Sequence, residues 1–163
     1  GSGAAMPHLA LVDRGFAGKV YQTHGAATRD LIRVGGKGVE GGFVSTPAVV
    51  VADQLPAGHP LRAVAMGFVE AYEKAHGPGS RNALAAHGYD AFLILDKAVA
   101  LARQKAKPGT PEFRAALRDA LESMPPVTLT GGVIDYTATD HWGYQDDSAV
   151  MMKIVNGDWK LEP

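Results

Sequence analysis

Val20-Tyr21-Gln22-Thr23-His24-Gly25-Ala26-Ala27-Thr28-Arg29-Asp30-Leu31-Ile32 reads as a short buried strand, a tight turn and the first turns of a helix. A junction of this kind restricts the fold strongly. It predicts free backbone N–H groups leaving the sheet edge just after His24 and Gly25. In an open α/β sheet that edge is where a ligand binds. Upstream, Gly1-Ser2-Gly3-Ala4-Ala5-Met6-Pro7-His8-Leu9-Ala10-Leu11-Val12 has the same form: a turn that opens a helix. Small residues at Gly1, Ser2 and Gly3 let a guest approach the backbone, Ser2 or a neighbour can cap the helix, and Pro7 is tolerated in its first turns. Two such turns side by side would form one wall of a cleft.

The 163 residues suffice for one domain with a real core, burying roughly 70% of the unfolded surface. The 16 basic and 17 acidic residues nearly cancel, so no field gathers nucleic acid or an anionic membrane. Cysteine is absent, which excludes disulfides, thiolate nucleophiles and Cys-based zinc sites together. It leaves the compartment open. No apolar run approaches the roughly 20 residues of a membrane span, so direct membrane insertion is not expected. No basic-then-apolar signal segment opens the chain, which begins where a strand would be ending.

Turn, helix, strand (Lys19 to Gln22), turn, helix (Ala27 to Val34), glycine-rich loop and strand (Gly42 to Val44) follow in order, with Gly15 and Gly18 punctuating a βαβ unit. Gly35-Gly36-Lys37-Gly38-Val39-Glu40-Gly41-Gly42 lacks the spacing and Ser/Thr of a phosphate loop and follows a helix instead of preceding one, so it reads as a connection. Ser45 to Pro56 is extended and bracketed by prolines. Composition alone leaves it either a bridge between two bodies or a further strand. Helices are expected over Pro60–His76, stopped by Gly77-Pro78-Gly79, over Ser80–Lys105, and from the Thr110-Pro111-Glu112 start to Ser123. The pattern then turns to period two: Val127–Leu129, a glycine pair, Val133–Tyr136 and Ala149–Val155. Asn156-Gly157 marks a hairpin returning through Trp159-Lys160-Leu161.

Gly1-Ser2-Gly3-Ala4-Ala5-Met6-Pro7, Tyr21-Gln22-Thr23-His24-Gly25-Ala26, Ala71-Tyr72-Glu73-Lys74-Ala75-His76-Gly77-Pro78-Gly79-Ser80-Arg81, His87-Gly88-Tyr89-Asp90-Ala91 and Pro108-Gly109-Thr110-Pro111-Glu112-Phe113-Arg114-Ala115-Ala116-Leu117 together resemble the type I periplasmic binding proteins. The resemblance is to the Leu/Ile/Val-binding branch that serves ABC importers, and it covers the C-terminal half of a family member. It implies an α/β fold made of parts of two doubly wound, Rossmann-like lobes with a C-terminal β-hairpin. Residues 1–46 would be part of lobe 2, 47–132 a hinge strand and helices completing lobe 1, and 133–163 the last crossover and the strands returning to lobe 2. On that mapping the segment from Thr46 to Asp53 is the hinge strand.

The resemblance also implies roles. Ser2, Gly3 and Ala4 match a ligand-facing turn, and Leu84 matches a bulky residue packed on the ligand's apolar part. His24 stands where amino-acid-binding members place an acid for the ligand's ammonium. The expected solute is a small carboxylate-bearing one, an amino acid or an aromatic acid; a histidine cannot act as the anionic partner of an ammonium, which makes an ordinary α-amino acid the less expected of the two. Main-chain donors near Ser2 and Ala26, with Gly25 between, and orientation by Thr23 and His24 complete the expected contacts. No cofactor and no metal are expected: the histidines form no i, i+4 helical pair. A calcium loop is not expected around Asp135, Asp140, Asp146 and Asp147, which with Trp142 and Tyr144 read as a solvated crossover. His87 and Tyr89 read as packing residues, and Met151 and Met152 as strand core or edge. The expected function is non-catalytic capture of the solute for an ABC transporter permease, in the periplasm. The partners are the solute, the permease and an N-terminal half of the same receptor, with any signal peptide upstream. A sensory domain of the same fold, or a small α/β enzyme using His24, are the alternatives.

Overall fold

The computed structural model describes residues 2–145 and 148–162. Gly1 of the opening turn, and Asp146 and Asp147 of the acidic crossover, lie outside the described residues. A 3-10 turn over Ser2–Ala4 leads into α1 (Ala5–Asp13), followed by β1 (Tyr21–Gln22), a second 3-10 turn at His24–Ala26 and α2 (Arg29–Gly35). After β2 (Phe43–Thr46) come α3 (Arg62–His76), α4 (Ala83–Ala102) and α5 (Pro111–Leu121). The chain ends in β3 (Val127–Thr128), β4 (Val133–Ile134), β5 (Val150–Val155) and β6 (Asp158–Leu161).

The main sheet has the order β1-β2-β5-β6, with β1 parallel to β2 and the other pairs antiparallel. Its mixed character follows from the local signals. The β1–α2–β2 unit makes a parallel pair, whereas Asn156 and Gly157, both at positive φ, form the two-residue turn that pairs Val155 with Asp158. The Glu40 carboxylate accepts the backbone N–H groups of Asn156 and Gly157, so the glycine-rich connection ends by tying down the hairpin. This is the α/β fold expected, hairpin included. Alternating residues face the core: Val44, Met152, Ile154 and Trp159 are buried with Leu31 from α2 and Phe68 and Val69 from α3. A second core joins Ala98 of α4, Ala120 of α5 and Met124 to Val127, Leu129 and Ile134 around the β3–β4 pair.

The helix signals match closely. Thr110 Oγ1 accepts the Phe113 N–H at 3.1 Å and Asn82 Oδ1 the Ala85 N–H at 2.9 Å, while Gly77 ends α3 at φ 94°. Two expectations are corrected. Thr46 ends β2, but Ala48–Gln54 is wound into 3-10 turns with a break at Val51, so no hinge strand runs to Asp53. The Arg62 guanidinium holds that winding by donating to the carbonyls of Ala52, Asp53 and Leu55 at 3.1, 3.0 and 2.6 Å. The helix expected to begin at Ala27 begins at Arg29, because His24–Ala26 first makes its own tight turn.

Candidate functional site

The two 3-10 turns, Ser2–Ala4 and His24–Ala26, pack against each other at one end of the sheet. Ser2, Gly3, Thr23 and Gly25 are exposed, Ala4 and His24 half-buried and Ala26 buried. One expected contact changes character. The Ala26 N–H donates to the Thr23 carbonyl and the Ala27 N–H to the His24 carbonyl, both at 2.9 Å, so neither is available to a guest. The tighter 3-10 pitch closes these bonds where a wider turn would have left the donors open. Leu84 lies in the first turn of α4 and is 68% exposed.

His24 lines a cavity of about 350 Å³. Its other walls are Ser45, Thr46 and Pro47 at the end of β2, His87 of α4, Gly131 of the β3–β4 turn, and Trp142, Tyr144, Gln145, Ser148 and Ala149 ahead of β5. The remaining expected contacts, Ser2, Gly3, Ala4, Thr23, Gly25, Ala26 and Leu84, are not in its lining. The Gly131-Gly132 pair lets the turn close in. A Cβ on Gly131 would sit 2.5 Å from Pro47 Cβ, and one on Gly132 would sit 2.6 Å from Ser148 Oγ.

Polar atoms in these walls lack partners among the described residues: His24 Nε2, Thr46 Oγ1 and Ser148 Oγ are all buried without a hydrogen bond. Thr46 is only 1% exposed. An unsatisfied buried polar group costs about 1–3 kcal/mol, and three of them belong to residues that line this one cavity. The apolar counterpart is an aromatic pair, Trp142 edge-on to Tyr144 with ring centroids 5.7 Å apart and Trp142 75% exposed. Asp140 shapes that loop by accepting the N–H groups of Trp142 and Gly143 at 2.9 and 3.1 Å.

The electrostatics centre on two imidazoles. His24 and His87 meet edge-to-face, with ring centroids 5.2 Å apart. Burial lowers the His24 pKa below its ordinary value, and the neighbouring His87 lowers it further. Behind His87 lies Asp90, 3% exposed, whose Oδ2 is 4.0 Å from His87 Nδ1. Thr130 donates its N–H and its hydroxyl to this carboxylate at 2.8 and 2.9 Å. Burial raises the Asp90 pKa, opposed by the two Thr130 bonds and by His87. Burial also raises that of Tyr144, with Asp90 and Tyr136 adding to the effect. The arrangement offers hydrogen bonds, a titratable pair and an aromatic face. Among the described residues no group of three or more His, Cys, Asp or Glu side chains is placed to hold a metal ion.

Of the contact residues expected from the sequence, His24 lines the cavity, where Thr46, Ser148, His87 and Tyr144, which were not among them, line it too. One signal was present. An aspartate at position 90, between Ala86 and Ala98 on the buried face of α4, demands a partner, and Thr130 next to Gly131-Gly132 is the kind of loop residue that supplies one.

Comparison with known proteins bears on the family and the fold. The model of the periplasmic binding protein family matches residues 9–158. A search of curated proteins gives no match. Among solved structures, an extracellular ligand-binding receptor from Rhodopseudomonas palustris is 39% identical with a TM-score of 0.94, over 100% of this chain and 45% of its own. A leucine binding protein from Thermotoga maritima is 29% identical with a TM-score of 0.73, over 98% of this chain and 40% of its own. A putative branched-chain amino acid ABC transporter protein from Rhodospirillum rubrum is 27% identical with a TM-score of 0.65, over 98% and 41%. The chain thus spans a little under half the length of these relatives. With the family match running over most of its residues and the mixed α/β fold shared throughout, the chain belongs to the type I periplasmic binding proteins.

Proposed function

We propose that this chain is a portion of the extracytoplasmic solute-binding receptor of an ABC importer, and that it captures a small carboxylate-bearing solute without chemical change. The observation that carries the reading is the 350 Å³ cavity lined by His24, Thr46 and Ser148, each with a buried polar atom that has no hydrogen bond, beside Trp142 and Tyr144. Its volume suits a small organic acid, and its mix of few polar atoms with an aromatic wall is that of a ligand site. The solute would be held between two lobes that close on it, the second supplied by the length that the relatives have and this chain does not. Residues 1–46 and the strands after the last crossover would belong to one lobe and the α3–α5 helices to the other. Ser2, Gly3, Ala4, Thr23, Gly25 and Leu84 would face the solute from the cleft rim in the closed form. A permease in the membrane would receive the closed receptor in the periplasm. A histidine in place of an anionic side chain at position 24 disfavours an ammonium and supports a carboxylate solute.

The test is a thermal-shift series on the receptor at the length of its relatives, with branched amino acids, aromatic acids and dicarboxylates. A ligand at about 100 times its Kd adds roughly 2.7 kcal/mol to the native state, a readily measured rise in Tm. Stabilisation by an aromatic acid or a dicarboxylate is the expected result. Stabilisation by leucine-type ligands alone would contradict the reading of His24.

A further inference from the structure

Resting on the carboxylate reading of the cavity, we infer that His87 contacts the solute together with His24, and that this pair grips the carboxylate by taking up a proton from solvent as the solute binds. The geometry carries it in three steps. Both rings line the same cavity and lie in van der Waals range of each other, so a guest that reaches His24 also reaches His87. His24 Nε2 is buried without a hydrogen bond, and His87 turns its Nδ1 toward Asp90, which leaves the opposite ring nitrogen as the one that can serve a guest. Asp90 is itself occupied, since both carboxylate oxygens accept from Thr130, so it orients His87 and does not compete as the partner of His24.

Two imidazolium ions at this separation repel, and a neutral pair lacks a charge for an anion. One proton shared over the pair with a carboxylate against it satisfies both conditions. Among the described residues, the other titratable groups that face the pair are Tyr144, across the cavity, and Asp90, behind His87. Burial pushes Tyr144 up, away from the histidine range, and Asp90 has both carboxylate oxygens bonded to Thr130. Burial already disfavours the charged form of His24 in the free protein, so the proton arrives with the solute. The sign follows from linkage: binding that takes up a proton strengthens as pH falls toward the histidine range and weakens as pH rises above it.

The experiment is calorimetric titration of the receptor at the length of its relatives with benzoate, succinate and leucine, at about pH 6 and about pH 8 and in two buffers of different ionisation enthalpy. The expected result is net proton uptake on binding and an affinity about tenfold weaker at the higher pH, with no binding of benzamide in place of benzoate. His87→Gln, which keeps a hydrogen-bonding side chain, is expected to bind more weakly at the lower pH and to flatten the profile, while leaving the unfolding midpoint of the free receptor little changed. Binding of benzoate or succinate with a flat profile and no proton uptake overturns this inference and leaves the carboxylate reading standing, as does an unaltered profile in His87→Gln. Failure of benzoate and succinate to bind at either pH, whether or not leucine binds, overturns both. Histidine ring NMR adds a readout that a merely structural role would not move: the titration of His24 should shift upward when a carboxylate is bound, and an unshifted curve would count against the pair.

Discussion

Asp90 is a charged side chain on the buried face of a helix, and its neighbours show why it is tolerated. A carboxylate taken from water needs donors, and Thr130 gives two from the far side of the second core, joining α4 to the β3–β4 turn that forms one wall of the cavity. Removing the carboxylate leaves the Thr130 N–H and hydroxyl buried without partners. Asp90→Ala should therefore cost roughly 3 kcal/mol, read as a lower urea midpoint at unchanged m-value. Asp90→Asn keeps an acceptor for the N–H and an amide for the hydroxyl oxygen, and should cost roughly 1 kcal/mol or less. Equal losses in the two variants would mean that the charge, and not the pair of hydrogen bonds, holds the turn in place.

Elements with local causes were legible and elements with distant causes were not. Thr110-Pro111 caps α5, Gly77 stops α3 and Asn156-Gly157 turns the hairpin because each is decided by a few adjacent residues. Ala48-Val49-Val50-Val51-Ala52 is β-branched and apolar, which favours a strand on local grounds. It winds into 3-10 turns because α3 and β6 close over it. Arg62 caps three of its carbonyls, and Gln54 at its end donates to the Trp159 carbonyl and accepts the Leu161 N–H. Arg62 lies beyond the following loop and the β6 partners lie at the far end of the chain. The cavity was only partly readable for the same reason: His24 stands out beside its turn, whereas Thr46, His87 and Ser148 acquire their role only when β2, α4 and the loop before β5 are brought together. Arg62→Met keeps the apolar stem and removes the donors, so it should lower stability by about 2 kcal/mol, and thermal unfolding measures it. A variant as stable as the parent would show that solvent satisfies those carbonyls unaided.

At the scale of the whole molecule, α4 poses a problem that this chain does not itself answer. Its inward side packs on α5 and the two cores through Ala86, Asp90 and Ala98. Leu84, Gly88, Ala91 and Leu95 recur at i, i+4, i+7 and i+11 on another face, with Phe92 beside them, and all are exposed, Phe92 to 61%. A helix apolar on more than one side belongs in an interior. The relatives are about twice as long, and the lobe proposed for α3–α5 takes its remaining strands from that extra length. Phe92→Lys distinguishes a covered face from an open one. In the 163-residue chain the substitution should change stability by less than about 0.5 kcal/mol, as at any exposed site. In the receptor at the length of its relatives it would force an ammonium into a packed core and should cost roughly 3 kcal/mol or more, seen as a large drop in Tm with loss of solute-induced stabilisation. Unfolding midpoints that match between parent and variant in the longer protein would place this face in solvent there as well, and α4 would then have to be assigned outside the core of the first lobe.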